Sequence, residues 1–279
     1  MSESNASTVT AGVPGPGQVA RVTIGDFLRR CAARDRAKTA FVFEGERLSY
    51  GHFNDQVTRC ANALLASGLR PGDRVATLCG NSLQFLATMF GVHRAGLVWV
   101  PINIGLSDDD VRYILEHSES RFVVVDAALV ARPGLASLLA ATPGRGWVLE
   151  GPAQAGFGAF TQALSQQSAV EQEVEIHDRD VAQIMYTSGT TGRPKGVMQS
   201  HLAVVMAAMN NAVEFGLWRD AVCNASLPLF HCAQHTLVCG LLAAGGTVVV
   251  TKGFDPGQML EIIERERLTF FMGLPLMHQ

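Results

Sequence analysis

The sequence predicts an α/β fold in which a largely parallel sheet is covered by helices. Three observations carry this reading. Short apolar runs of strand length recur along the chain, as at Val75–Cys79, Leu97–Val100, Arg121–Asp126 and Thr247–Thr251. Between them lie segments whose apolar residues fall three and four apart, the spacing of one buried helical face. Turn residues punctuate the joins, and such alternation builds βαβ units.

Residues 1–20 are rich in Ser, Gly, Ala, Thr and Pro and are expected to form a flexible tail. Thr23 then caps a helix with Ile24, Phe27, Leu28, Cys31 and Ala32 on one face. Thr39–Glu44 and Arg47–Tyr50 flank a Gly45-Glu46 turn and read as a hairpin. A second helix carries Phe53, Val57, Cys60, Ala61, Leu64 and Leu65, and stops at Gly68 with Pro71 close behind. After the strand at Val75, Ser82–Ala95 is helical. Ser107 with Asp110 three residues on is a capping box, opening a helix with Val111, Ile114 and Leu115. Later come a helix at Ser200–Phe215, a strand at Val222–Ser226, a helix at Gln234–Ala243 and one carrying Met259, Ile262 and Ile263. A strand at Thr269–Met272 is expected last. The stretch Ala131–Asp180, with Pro133, Pro143 and Pro152, is less regular. It is expected to cross between two α/β subdivisions, residues 21–180 and 181–279.

With 279 residues, 48% of them hydrophobic, the chain can bury a sizeable core, which excludes wholesale disorder. Its net charge of -3 lacks the basic footprint of a nucleic-acid binder. The six cysteines form no C-x-x-C pair and read as buried free thiols in a reducing compartment. The N-terminal residues lack the apolar core of a signal peptide. The longest apolar run, Leu237–Val250, is broken by Gly240, Gly245 and Gly246 and is too short to span a bilayer. A cytoplasmic protein with no transmembrane segment is the expectation.

One loop concentrates chemistry. In Tyr186-Thr-Ser-Gly-Thr-Thr-Gly-Arg-Pro-Lys195-Gly196, an apolar strand delivers the chain into a run where Gly189, Gly192 and Gly196 let successive amides point into one concavity. Thr187, Ser188, Thr190 and Thr191 add hydroxyls, and Arg193 and Lys195 add two cations. Such donor density suits a triphosphate. The G-x-x-x-x-G-K-[ST] pattern of a Walker loop is absent. Val197-Met198 separates the loop from the helix that Ser200 caps, so a helix N-terminus need not supply the phosphate site. A merely solvated turn would not specify so many positions.

A second group is Pro228-Leu-Phe-His-Cys-Ala-Gln-His235, which places His231 after a turn and before a helix. A capping or core histidine is the plainer reading. His231 and His235 have the spacing of a zinc pair, but no third ligand and no intervening Glu accompany them, so no metal site is expected. Asp108, Asp109 and Asp110 are explained by a helix N-terminus. His93 and His117 lie on helices and read as packed or surface residues.

The loop YTSGTTGRPKG resembles the signature of the adenylate-forming superfamily, which holds acyl- and aryl-CoA synthetases, firefly-type luciferases and peptide-synthetase adenylation domains. Leu48-Ser-Tyr50, Gly68-Leu-Arg-Pro-Gly-Asp-Arg-Val75, Gly96-Leu-Val-Trp-Val-Pro-Ile-Asn103, Leu227-Pro-Leu-Phe-His231, Gly245-Gly-Thr-Val-Val-Val250 and Phe271-Met-Gly-Leu-Pro275 are similar to the family's further motifs, in family order. The resemblance implies the layered βαβ sheets of the family's large N-terminal domain, incomplete at the C-terminus and lacking the C-terminal domain. It implies ATP-dependent activation of a fatty or aromatic carboxylic acid to an acyl adenylate, then to a CoA thioester, with ATP, Mg2+ and coenzyme A. Thr187, Ser188, Gly189, Thr190, Thr191, Gly192 and Lys195 would hold the phosphates, and His231 would stand beside the carboxylate. Relatives that activate amino acids place an aspartate after the phenylalanine of this motif. Here His231 follows Phe230, so an amino-acid substrate is not expected.

Motifs that the family uses for adenine, ribose, magnesium and the adenylation lysine have no counterpart here. The 279-residue chain alone is therefore expected not to complete the reaction, and to expose an apolar edge through which it self-associates. Two alternatives stay open: adenylation without CoA transfer, and a protein that at most binds nucleotide phosphates.

Overall fold

The computed structural model describes residues 22–140, 145–154, 156–187 and 192–278. Helix α1 (Ile24–Arg34) buries the five apolar residues expected of it, and the Asp26 carboxylate accepts from the Thr23 amide at 3.3 Å. Strands β1 (Thr39–Phe43) and β2 (Glu46–Ser49) form an antiparallel hairpin. Its turn is Glu44-Gly45, one residue earlier than expected. Both residues take positive φ, 50° and 85°, the pair of left-handed conformations that matches the twist of hairpin strands.

Helix α2 (Tyr50–Ala66) starts at the Ser49 cap, and β3 (Arg74–Leu78), α3 (Leu83–Arg94) and β4 (Val98–Pro101) follow. In α4 (Asp108–His117) the Ser107 hydroxyl accepts from the Asp110 amide at 3.2 Å and donates to the Asp110 carboxylate at 2.7 Å. Strand β5 (Phe122–Asp126) and the single turn α5 (Ala127–Val130) come next. The stretch read as irregular holds more order than its prolines suggest. Pro133 opens α6 (Pro133–Ala140), a position where a missing amide hydrogen costs nothing. Then come β6 (Gly146–Leu149), the two-residue β7 (Gly158–Ala159) and α7 (Phe160–Ser165).

The remaining elements are β8 (Val181–Thr187), β9 (Lys195–Ser200), α8 (His201–Glu214), β10 (Val222–Ala225), α9 (Cys232–Ala244), β11 (Thr247–Val250) and α10 (Pro256–Glu266). The strand expected at Thr269–Met272 is reduced to one parallel bridge, Cys223 to Phe270. Beyond it the Asn224 side chain takes both backbone groups of Met272, at 2.8 and 2.9 Å, so no ladder propagates.

Two sheets result. The larger has the order β7-β6-β5-β3-β4-β8-β9 and is parallel apart from β9; the smaller has the order β10-β11-β1-β2 and is parallel apart from β2. The sheets draw strands from both sides of residue 180. Strands β8 and β9 complete the larger one, while β1 joins β11 through Phe41↔Val248 and Phe43↔Val250.

Alternate residues sort the core into layers, as the two-residue period of a strand requires. Val75 and Val124 pack with α1, α2, α3, α8 and α9 between the sheets, in one cluster with Phe41, Phe53, Trp99, Leu237 and Val248. Ala76, Val123 and Val125 face the other way, beneath α4 and α6. A small third cluster, Val42, Val249, Met259 and Ile262, packs α10 on the outside of the smaller sheet. The order is helix, sheet, helix, sheet, helix. Among the described residues no helix is long and apolar enough to cross a membrane.

Candidate active site

Parallel sheets hold ligands outside the carboxyl ends of their strands. At that edge, β4 ends at Pro101 and β8 ends at Thr187, and a cleft of about 520 Å³ opens between them. Thr187, Gly192 and Pro194 line one side; Phe230, His231 and Cys232 line another. The two segments singled out in the sequence thus share one cavity, although some forty residues separate them. Asn103 and Asp110 supply polar lining, and Leu106, Ile114 and Met185 supply apolar lining.

The loop is the connection of the β8–β9 hairpin. Register pairs Tyr186 with Gly196 and Thr187 with Lys195, so Thr187 and Lys195 face each other where the loop leaves the sheet. Both are exposed. Lys195 has no acidic partner within ion-pair distance among the described residues. Ser188, Gly189, Thr190 and Thr191 lie outside the described residues. Gly192 has φ of 108°, a conformation that favours glycine. Gly196 is needed for a different reason from the one its place in the loop suggests. Its φ is not positive; instead the Tyr186 ring lies across it, and an added Cβ would stand 2.9 Å from Ile184 Cγ2 and 3.1 Å from Tyr186 Cζ. After β9, Ser200 caps α8 by accepting from the Ala203 amide, so the loop enters a strand and not a helix.

His231 is the N-cap of α9. Its Nδ1 accepts from the Ala233 amide at 3.3 Å, which fixes the ring proton of the neutral form on Nε2. The capping and cleft-lining readings therefore both hold: one nitrogen is spent on the helix, and Nε2–H is left for the cleft. The turn carrying His231 is held from beneath by Asn81, which is 7% exposed. The Asn81 amide donates to Leu227 O at 2.9 Å and Thr251 O at 3.1 Å, and accepts from the Leu229 amide at 2.8 Å. Buried Gln234 accepts from the Leu227 amide at 3.1 Å. Local sequence patterns give no sign of Asn81, because its partners lie 146, 148 and 170 residues away.

The other histidines separate by burial. His235, on the same helix as His231, points inward against Trp99, with ring centroids 5.4 Å apart, and receives a hydrogen bond from Gln183 Nε2 at 3.2 Å. His231 is thus exposed at the cleft while His235 is buried. Burial lowers the pKa of His235 to about 4 and holds His93 well below the usual histidine range, so both are neutral at pH 7. His117 is exposed yet engaged: its Nδ1 lies 2.8 Å from Tyr186 Oη. Among the cysteines, Cys31, Cys60, Cys79, Cys223 and Cys239 are buried as expected, but Cys232 is exposed, because the first position of α9 faces the cleft.

A family described as AMP-binding enzyme matches residues 28–279. The chain is 36% identical over 257 residues to a feruloyl-CoA synthase of an Amycolatopsis species, covering 92% of this chain and 49% of that protein. It is 34% identical over 255 residues to a long-chain fatty-acid–CoA ligase of Mycobacterium tuberculosis, covering 90% of this chain and 50% of the ligase. A crystal structure described as that of a putative long-chain fatty-acid CoA ligase from Rhodopseudomonas palustris superposes with a TM-score of 0.83 at 28% identity, over 91% of this chain and 64% of that one. The chain spans about half the length of the curated relatives it matches. The chain belongs to the AMP-binding enzyme family.

Proposed function

We propose that the chain carries the phosphate and acyl part of an ATP-dependent carboxylic-acid ligase, which forms an acyl adenylate and then a CoA thioester. The observation that carries this reading is the single cleft shared by the hydroxyl- and cation-bearing loop and the His231 turn. A loop for the leaving phosphates and a wall for the carboxylate must lie together if the carboxylate is to attack the α-phosphorus in line.

In this reading Thr187, Ser188, Gly189, Thr190, Thr191 and Gly192 orient the β- and γ-phosphate oxygens and Lys195 neutralises charge on the departing pyrophosphate. The His231 Nε2–H faces the carboxylate or its acyl phosphate. Mg2+ would supply charge neutralisation on the phosphates. The only carboxylate lining the cleft among the described residues is Asp110, already bonded to Ser107, and no group of three His, Cys, Asp or Glu among them is arranged to hold a metal. The described residues therefore build no site for the ion by themselves.

The acid is proposed to lack an α-ammonium group. A buried ammonium needs a carboxylate partner, and Phe230 is followed by His231, Cys232 and Ala233. Leu106, Ile114, Met185 and Phe230 suit an apolar or aromatic acid. The similar proteins named above act on ferulic acid and long-chain fatty acids, which agrees with that class.

The test is ATP–pyrophosphate exchange with octanoate, benzoate, ferulate and a set of amino acids, beside equilibrium binding of ATP to the 279-residue chain. The expected result is ATP binding that Lys195→Ala weakens, and exchange with simple acids in preference to amino acids once groups for adenine and magnesium are supplied by a longer protein. Failure of the chain to bind ATP or tripolyphosphate would sink the phosphate assignment.

A further inference from the structure

Both arms of the loop are gripped by one face of α4, through two residues of which only His117 was singled out in the sequence, and only as a packed or surface residue. Tyr113 and His117 stand four residues apart on α4, so they share a face. Their rings stack, with centroids 5.2 Å apart and planes inclined by 28°. On the outgoing arm, Tyr186 crosses over Gly196 and its hydroxyl meets His117 Nδ1 at 2.8 Å. Burial and the neighbouring Tyr113 raise the pKa of the Tyr186 phenol, so it keeps its proton; the His117 tautomer sets which of the two groups donates. On the returning arm, the Arg193 guanidinium carbon lies 4.9 Å from the centre of the Tyr113 ring, within range of a cation–π contact.

We propose that Tyr113 and His117 are positioning residues for the phosphate loop: they fix its two arms against α4, and they hold Arg193 as an anchor while Lys195 alone serves as the phosphate cation. The proposal deepens the phosphate reading of the loop and rests on it for the word phosphate only. Its geometric part stands on the four side chains. His117 and Arg193 are exposed and Tyr113 and Tyr186 are half-buried, so these contacts add little to the core. What they constrain is the hairpin. The same helix lines the cleft with Asp110 and Ile114, so fixing the arms to it also fixes the loop relative to the His231 wall. An anchored Arg193 gives the loop's two cations separate roles. The guanidinium, planar and weakly hydrated, suits a ring face, while the compact ammonium of Lys195 suits phosphate oxygen.

The test is amide hydrogen exchange of the whole chain without ligand, read by NMR at Arg193, Lys195 and Gly196, with Val123–Val125 in the core as control. Tyr113→Leu keeps apolar bulk and removes the ring; Tyr113→Phe keeps the ring. The expected result is exchange about two- to fivefold faster at the three loop amides in Tyr113→Leu, with Tyr113→Phe close to wild type and the core amides unchanged. Tyr186→Phe, which deletes the hydroxyl, should speed Gly196 in the same way. Unchanged loop amides in Tyr113→Leu would overturn the proposal. So would equal acceleration in Tyr113→Phe, or acceleration shared by the core, since that is a general loss of stability. Dissociation constants for inorganic tripolyphosphate measured on the same proteins separate the two claims. If wild type binds none while the exchange pattern holds, the phosphate reading fails and the anchor stands. If wild type binds it, Tyr113→Leu should weaken binding by the same two- to fivefold.

Discussion

The His231 wall of the cleft hangs from Asn81, a buried amide whose hydrogen bonds reach the ends of two strands and the turn between β10 and α9. The loop wall, by contrast, is held at the surface by aromatic and cation contacts to α4. The first kind of support sits where water cannot replace a lost partner, so its removal is expensive. The second sits where water competes, so its removal is cheap and local. The adenylating role proposed above would have use for both: a wall beside a carboxylate would have to keep its distance from the phosphorus, whereas a loop around three phosphates would have to admit and release them.

The largest expected effect tests the buried side. Asn81→Ala leaves the Leu229 amide and two carbonyls without their partner and should cost about 2–4 kcal/mol of unfolding free energy in urea titration. A loss below about 1 kcal/mol would erase the contrast between the walls. On the exposed side, Lys195→Ala should weaken tripolyphosphate or ATP binding by about one to two orders of magnitude, the worth of a charge-assisted bond, while leaving the urea midpoint in place. Unchanged affinity would show that the loop's cation lies elsewhere. Gly196→Ala falls on the seam between the two regimes. The new methyl collides with Ile184 and the Tyr186 ring, and a cost of about 1–3 kcal/mol is expected, with the Tyr186 contact to His117 broken. A neutral outcome would mean that the tyrosine moves aside freely and the surface clamp is slack.

The last test concerns pH. His235 titrates near 6.5 when unfolded but only near 4 when folded, because burial disfavours its charged form. Between those values the unfolded chain binds the extra proton, so this contribution to stability is present above about pH 6.5 and is lost as pH falls toward 4. His93 acts in the same direction. Unfolding free energies at pH 7, 6 and 5 should decline stepwise, and His235→Gln should flatten part of that slope. Asp73 and Glu266, held below the ordinary carboxylate range, add their own loss only at lower pH. An unaltered slope in the variant would show that His235 is not the proton's destination.

Most of the architecture was legible because it is written locally. The apolar spacing of Ile24 to Ala32 and the Ser107–Asp110 pair state their helix and its start within a few residues, and the structure follows them closely. Where the reading slipped, the deciding partner was remote. Thr269–Met272 has the composition of a strand, but the Asn224 side chain occupies the hydrogen bonds that a ladder would need. The division of strands between sheets could not be read along the chain, since β1 chooses β11, some two hundred residues on, through matched valine and phenylalanine faces. The cleft showed the same split. The loop and His231 announced themselves as motifs, whereas Asn81, Tyr113 and His117 matter only through distant contacts.

The larger groove of about 910 Å³ between the hairpin, α2 and α7 adds a caution about size. It sits at the carboxyl ends of β1, β6 and β11, but both of its cations are already committed: Lys252 pairs with Glu44 at 2.8 Å, and Arg59 donates to the Gln167 carbonyl. The smaller cleft keeps one ring nitrogen of His231 uncommitted, and Lys195 at the base of its loop has no acidic partner among the described residues, which matters more for chemistry than volume does.

Cys232 gives the molecule a built-in chemical handle. Of the six thiols it alone is exposed, and it opens onto the cleft beside His231 while the other five are sealed in the core. A maleimide-linked dye or nitroxide attached under native conditions would land at that one position, with no cysteine having to be engineered in or out. It would place an optical or magnetic reporter beside the His231 wall of the cleft, able to follow ligand entry in real time without any turnover.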